Sequence, residues 1–357
     1  MAKIAKAVKE QSLAELVSLY RGMGIDAQID YDKFYLYSII THSTAIEGST
    51  VTELENQLLF DEGITAKGRS LQEQLMNLDL KDAYEWGMVQ IKQHPPISID
   101  FLCALSAKVM ARTGCEYNTP AGSFSAAKGD LRLLNVTAGY GGKSYMNFLK
   151  VPMYLERFCK ELNERRNNLD TTDVQAIYEL SFWAHYHLVT IHPWADGNGR
   201  VTRLLMNLLQ IEFGVMPMKV TMDEKGEYIQ ALIDTRESED INVFLAAMTR
   251  LHEQHLHNEI LAFMDSMNDG GQETDLVDRK GGQKTIEGGQ KTRDAILSLI
   301  HENAHITSTQ MAATLGINRS AVSKHLKSLQ QSNIILRVGP DKGGHWEIVK
   351  TTQKANG

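Results

Sequence analysis

His192-Pro193-Trp194-Ala195-Asp196-Gly197-Asn198-Gly199-Arg200-Val201-Thr202-Arg203 is the stretch on which the reading of this chain turns. Gly197-Asn198-Gly199 is a turn sequence able to take positive φ. Residues 201–211 then form an apolar, helix-favouring run. The glycines therefore lie at a helix N-terminus, where unpaired N–H groups and the positive end of the dipole make an anion hole suited to phosphate. Glycine lets the backbone approach that phosphate closely. Arg200 and Arg203, at i and i+3, share one face of the first turn and can fork onto phosphate oxygens. Asp196 precedes the hole, and a carboxylate beside phosphates commonly holds Mg²⁺ together with phosphate oxygens and water. His192 can accept a proton near neutral pH. Base, metal ligand, cradle and clamps are the equipment of a nucleotide-dependent transferase.

On either side of this stretch, residues 1 to about 265 read as mainly helical. Leu13, Leu16, Val17 and Tyr20 recur at helical spacing, as do Leu180, Trp183, Ala184 and His187. The exception is the stretch 122–147. Its run from Asn135 to Tyr145 is rich in Gly, Ser and Thr and predicts a hairpin or flap. Val151-Pro152 opens the next helix, with proline in its first turn. Residues 267–292 hold the imperfect repeat Gly-Gly-Gln-Glu-Thr, Gly-Gly-Gln-Lys-Thr, Gly-Gly-Gln-Lys-Thr, which reads as a linker. In 293–350, Ala295, Ile296, Leu299 and Ile300 mark one helix. Thr307 to Gln310 caps a second that ends at Gly316. A third starts at Asn318 or Ser320 and turns Val322, Leu326 and Leu329 inward, and two short strands follow. This order resembles the winged helix-turn-helix family. Arg319, Ser320, Ser323, Lys324 and Lys327 would face outward on its third helix. About eight Lys/Arg against four Asp/Glu in 291–350 give the local positive excess that DNA contact needs. Such modules also dock proteins.

The stretch from His192 to Arg203 resembles the motif of the Fic family, His-x-Phe-x-Asp/Glu-Gly-Asn-Gly-Arg-x-x-Arg, with Trp194 in place of Phe as a packing variant. The resemblance implies a protein adenylyltransferase that moves AMP from ATP to a Ser, Thr or Tyr hydroxyl of a target protein or of itself. His192 would be the base and Asp196 the Mg²⁺ ligand. Gly197, Asn198 and Gly199 would cradle phosphate oxygens, and Arg200 and Arg203 would hold the β and γ phosphates. Relatives of the Doc type, which phosphorylate instead, carry Lys where Gly199 stands. The hairpin at 135–147 would hold the target segment by strand addition.

Ser43-Thr44-Ala45-Ile46-Glu47-Gly48 resembles the inhibitory motif Ser/Thr-x-x-x-Glu-Gly/Asn of the same family, and the resemblance spans roughly residues 30–250. It implies that Glu47 pairs with Arg203 and denies the γ phosphate its clamp, while Ser43 fixes the helix end. In some relatives the same Glu positions water to remove AMP, so de-AMPylation is an alternative use of Glu47.

The bulk numbers agree. The chain has 357 residues, 43% hydrophobic and 23% charged, with net charge -7, which suits two or three globular domains and excludes a nucleic-acid coat. Cys103, Cys115 and Cys159 are odd in number and lack CxxC spacing, so a disulfide framework is not expected. Charges recur through residues 1–10, and no run reaches the roughly 20 apolar residues of a membrane span. A cytoplasmic protein without membrane contact is the expectation. His185 and His187 point about 200° apart on a helix and cannot chelate together. His252-Glu253-Gln254-His255 reads as an exposed helix face. Tyr228 aligns loosely with a family tyrosine near the adenosine, and Trp183 and Trp194 read as core.

The expected fold is mainly α: an all-helical Fic fold with a β-hairpin flap, plus a small C-terminal winged helix domain of α+β type. The expected organisation is an N-terminal helical region 1–110 with the inhibitory motif at 43–48, a catalytic domain 111–266, a linker 267–292 and a winged helix 293–350. ATP and Mg²⁺ are the expected cofactors, and a target protein the expected partner. DNA binding through 293–350, as in a transcriptional regulator, is the alternative. The sequence does not give the oligomeric state, a homodimer being one option.

Overall fold

The computed structural model describes residues 11–30, 33–138 and 143–268, and parts of the stretch from 296 to 348. The chain divides into two compact units, Met1–Gln272 and Glu273–Gly357.

The first unit is helical. Its elements are α1 (Leu13–Gly22), α2 (Phe34–Ile46), α3 (Glu53–Glu62), α4 (Leu71–Ile91), α5 (Ile99–Val109), α6 (Val151–Asn167), α7 (Val174–Ile191), α8 (Asn198–Glu212), α9 (Lys225–Ser238) and α10 (Ile241–Asn268). Local chemistry sets many of the helix starts. Ser12, Thr52 and Ser70 form capping boxes with Glu15, Glu55 and Glu73, each satisfying donors that the first turn leaves unpaired. Asp173 caps α7 by accepting from Ala176 N, and Pro152 lies in the first turn of α6.

At the centre, α7 and α8 pack together. Leu188 and Trp194 meet Val201, Leu205 and Leu208 in a core shared with α2, α4, α5 and α6. A second core joins α1, α7, α9 and α10. Leu13, Leu16, Val17 and Tyr20 pack there with Ile177, Phe182, Leu251 and Leu256. His252 belongs to this core, 1% exposed and tilted against the Tyr178 ring with centroids 4.6 Å apart. His255 is half-buried and pairs with Glu224 at 2.5 Å. The expected exposed face at 252–255 is therefore wrong on this side, because Tyr178 of α7 covers His252 and Glu224 at the start of α9 covers His255.

Two hairpins interrupt the helices. β1 (Glu116–Thr119) pairs with β2 (Gly122–Ser125), Tyr117 opposite Phe124, so the non-helical stretch begins before residue 122. The second is the predicted flap. Thr137 bridges Ser144 antiparallel, Ala138 N donates to Lys143 O at 3.1 Å, and Tyr145 N donates to Val136 O at 3.0 Å. Residues 139–142 lie outside the described residues.

In the second unit Ile296, Ile300, Met311, Val322, Leu326, Leu329 and Ile335 form one small core. Thr307 and Gln310 exchange capping bonds in both directions, at 2.9 and 3.2 Å, as their spacing predicts. β3 (Ile335–Val338) and β4 (His345–Ile348) pair antiparallel as the wing. Trp346 fixes the wing by donating its indole N–H to Ile306 O at 3.2 Å, while Arg337 lies over its ring. The outward residues expected on the third helix, Arg319, Ser320, Ser323, Lys324 and Lys327, lie outside the described residues, as does most of the 267–292 linker. Among the described residues no helix is long and apolar enough to cross a membrane.

Candidate active site

The motif residues form the loop between α7 and α8. His192 ends α7 in the left-handed region, at φ 52°. A non-glycine residue pays for that conformation, and such strain gathers at functional sites. Gly197 is the N-cap of α8 at φ 80°, and a Cβ there would lie 2.6 Å from Met110 Sδ. Glycine is required on both counts. Trp194 is fully buried, and its indole N–H donates to Gly129 O at 3.1 Å. The larger ring in place of Phe is thus packed and its added donor satisfied.

Asn198 turns inward. Its amide donates to Trp194 O at 2.8 Å and accepts from Trp194 N at 3.1 Å. The side chain closes the loop, which leaves the backbone N–H as its contribution to an anion cradle. Arg200 is 4% exposed; its Nη2 meets Met110 Sδ at 3.2 Å and Asp196 Oδ1 at 3.5 Å. Its Nε and Nη1 are buried without a hydrogen-bond partner. Buried guanidinium donors are costly to leave unpaired, so their presence beside Gly197 and Gly199 fits a site built for an anion. Asp196 is exposed, and its Oδ1 accepts from Gly197 N at 2.6 Å.

Arg203 is 3% exposed and already held. Its Nε donates to Ser43 Oγ at 2.9 Å, and its Nη2 donates to Ser43 O at 2.9 Å and to Glu47 Oε1 at 2.6 Å. Ser43 sits in the last turn of α2, and Glu47 and Gly48 follow its end, Gly48 at φ 103°. Burial works against the Glu47 carboxylate, but Arg203 and Arg200 outweigh it and hold its pKa below the ordinary value. The end of α2 is itself anchored by a polar cluster. Thr44 Oγ1 donates to Asn77 Oδ1 at 2.7 Å, and Asn56 Nδ2 donates to Asn77 Oδ1 at 2.9 Å and to Thr41 Oγ1 at 2.7 Å.

Tyr228 is buried behind Arg203. Its hydroxyl bonds His185 Nε2 at 3.0 Å and also Arg203. His185 is fully buried and stacks on Phe244. Among the described residues no three His, Cys, Asp or Glu side chains gather as a metal cluster.

The His192 ring lies against Val189 O, with Nδ1 at 3.3 Å. With Nδ1 protonated toward that carbonyl, Nε2 carries the lone pair. Burial pushes its pKa down to about 4; the Val189 bond and Glu47 oppose this, and Arg132 and Arg236 add to it. His192 is thus neutral at pH 7. Two residues near it carried no role in the sequence reading. Tyr145 of the flap stacks on the ring, centroids 3.7 Å apart, and Arg132 Nε donates to His192 O at 2.7 Å. Neither belongs to the motif, and a lone arginine in Gly-Asp-Leu-Arg-Leu-Leu carries no local signal.

Comparison with known proteins agrees with this geometry. Residues 96–210 match the Fic/DOC family and residues 290–335 match the winged helix-turn-helix DNA-binding family. The chain is therefore similar over 96–210 to a Fic domain and over 290–335 to a winged helix-turn-helix. Among characterised relatives, protein adenylyltransferase fic-1 of Caenorhabditis elegans is 27% identical over 204 residues, 56% of this chain and 36% of that protein. The match thus spans little more than a third of that relative. Fic-1 of C. elegans also shares the fold, with a TM-score of 0.56, 22% identity and 74% of each chain covered. A Fic family protein of Desulfovibrio desulfuricans G20 does so with a TM-score of 0.57 at 17% identity, covering 96% of this chain and 95% of its own.

Proposed function

We propose that the chain is a protein adenylyltransferase, transferring AMP from Mg-ATP to a Ser, Thr or Tyr hydroxyl of a protein, and that Glu47 restrains it. The observation that carries this reading is the pair of buried, unpartnered Arg200 donors at the N-terminus of α8, beside a neutral histidine. The relatives named protein adenylyltransferase supply the reaction class.

Arg200 and the N–H groups of Asn198 and Gly199 would hold the phosphates, the Gly197 N–H being taken by Asp196. Arg203 would join them once released from Glu47. A single exposed carboxylate, Asp196, suits an ion held mostly by phosphate oxygens and water. Bound there, Mg²⁺ would neutralise charge on the phosphates. His192 Nε2 takes the proton of the target hydroxyl as that oxygen bonds to the α phosphorus. The bond from the α phosphorus to the bridging oxygen breaks, and pyrophosphate leaves with its electron pair. The flap strands would hold the target backbone, while Tyr145 fixes the plane of the base.

Label transfer from ATP carrying a radioactive α phosphate tests this. Wild type, Glu47→Gly and Glu47→Gly/His192→Ala are compared with Mg²⁺ on a denaturing gel. Label on the Glu47→Gly chain or on a lysate protein, lost in the double variant, is the expected result. No label in any lane despite ATP binding sinks the reading. A second reading, DNA binding by the C-terminal unit, is favoured by the family match over 290–335 and the positive excess there. De-AMPylation, in which water positioned by Glu47 attacks the α phosphorus and the protein hydroxyl leaves with its proton restored, is the alternative use of the same site. It would show as His192- and Glu47-dependent loss of label from a modified protein.

A further inference from the structure

We infer that Arg132 is a positioning residue that locks the flap to the catalytic histidine through three backbone carbonyls. This rests on the adenylyltransferase reading of His192. Arg132 is 1% exposed, and among the described residues no carboxylate pairs with it. Its Nε donates to His192 O at 2.7 Å, its Nη1 to Leu134 O at 2.7 Å and its Nη2 to Met146 O at 2.5 Å. Its backbone N–H donates to Pro193 O at 3.0 Å.

The three carbonyls belong to different parts of the site. Leu134 precedes the first leg of the flap and Met146 ends the second; the pairing of Thr137 with Ser144 lies between them. His192 O belongs to the loop that carries the base. One planar fork thus spans both legs and the loop. Guanidinium can do this because its donors lie in a fixed plane; an ammonium cannot reproduce the fork.

Two features show that the link concerns the base rather than general packing. His192 holds a left-handed backbone, which directs its carbonyl to Arg132, and a charge-assisted bond offsets that strain. Tyr145, one residue before Met146, stacks on the His192 ring. The same fork therefore sets where the flap lies and where the imidazole points. A buried cation without a counter-charge is a costly way to brace a loop. Placed here, it also disfavours protonation of His192, together with Arg236 of α9 and against Glu47.

The test uses the full chain in the Glu47→Gly background. Arg132→Lys keeps the charge and loses the fork; Arg132→Gln loses both charge and fork. ATP affinity should match the parent in both, since Arg132 does not touch the α8 N-terminus. Transfer to protein at saturating ATP should fall about tenfold or more in both, the scale expected when reacting groups shift by a fraction of an ångström. The acid midpoint of the pH–rate profile should rise in Arg132→Gln and stay at the parental value in Arg132→Lys. NMR titration of the His192 ring should show the same split, and it needs no turnover. Absence of transfer in the parent would overturn the adenylyltransferase reading, while the NMR split would still decide the placement of Arg132. Parental transfer in a folded Arg132→Lys, or a fall in ATP affinity equal to the fall in transfer, overturns the inference. So does failure of both variants to fold, which would make Arg132 a residue of the core alone.

Discussion

The Glu47 carboxylate lies so close to Gly199 that a Cβ built on this glycine would sit 2.4 Å from Glu47 Oε1 and 3.0 Å from Arg203 Nη1. Glu47 thus occupies the approach to the helix N-terminus where an anion is bound most readily. A tethered carboxylate and a phosphate cannot share that position. Gly199→Ala should therefore act twice, displacing Glu47 and filling the phosphate seat. ATP affinity is expected to fall about tenfold, and adding Glu47→Gly should not restore it. Recovery in the double variant, read by calorimetry, would show that the methyl group acts only through Glu47.

Competition between Glu47 and nucleotide can be read without catalysis. Ligand stabilises the folded state in proportion to the logarithm of its saturation. Mg-ATP should raise the melting temperature of Glu47→Gly by a few degrees more than that of wild type, with Glu47→Gln between them. ATP should gain more than ADP from the release, because Arg203 is the clamp set free. Equal shifts in all three proteins would leave the Glu47–Arg203 bond without a role in binding.

Proton uptake by the base has a definite sign. Burial holds His192 near 4, below the ordinary value of about 6.5. Nε2 is free to accept a proton above that midpoint and blocked below it. Transfer by Glu47→Gly should be flat from pH 6 to 8 and fall below about pH 5. A midpoint near 6.5 would show that the ring is exposed before the chemical step.

Stability should depend on pH through two other histidines. His185 and His252 are fully buried, and burial pushes each to about 3. Below about pH 6.5 the unfolded chain binds protons that these folded rings exclude, so stability falls as pH falls. Lowering the pH from 6.5 to 5.5 should cost about 2 kcal/mol, read by urea unfolding. Both ring nitrogens of His252 lack a hydrogen-bond partner. His252→Leu should therefore be tolerated at pH 7.5 and should reduce the loss at pH 5.5. An unchanged pH dependence would assign the proton uptake elsewhere.

For the C-terminal unit, duplex DNA should bind the full chain with an affinity that falls steeply with salt. Binding should survive His192→Ala and disappear on truncation after residue 266. Retention by the truncated chain would move DNA contact to the first unit.

Much of the site is written locally in the chain. A glycine at the head of an apolar helix run, two arginines at i and i+3, and a preceding Asp and His place an anion site at one helix end whatever surrounds it, because helix periodicity and terminal N–H groups are properties of the backbone. The Thr307–Gln310 cap, the hairpin legs of the flap and the inward residues of the winged helix are legible for the same reason. The pairing of Ser43 and Glu47 with Arg203 was accessible only through resemblance, since more than 150 residues separate the partners. Other features follow from packing alone. Asn198 turns inward to Trp194, His252 is core because Tyr178 of α7 packs on it, and Arg200 keeps two donors unpaired beneath the α8 terminus. Arg132 is the extreme case: it acts on carbonyls of residues 134, 146 and 192. Every residue has a carbonyl, so side-chain pattern holds no trace of such bonds. From the sequence alone come the candidate anion site at the head of α8 and the helical character of the segments on either side. Which buried donors stay unpaired, where the Glu47 carboxylate rests and how the flap meets His192 follow from long-range packing, because they depend on which backbone and side-chain groups lose water together when distant segments meet.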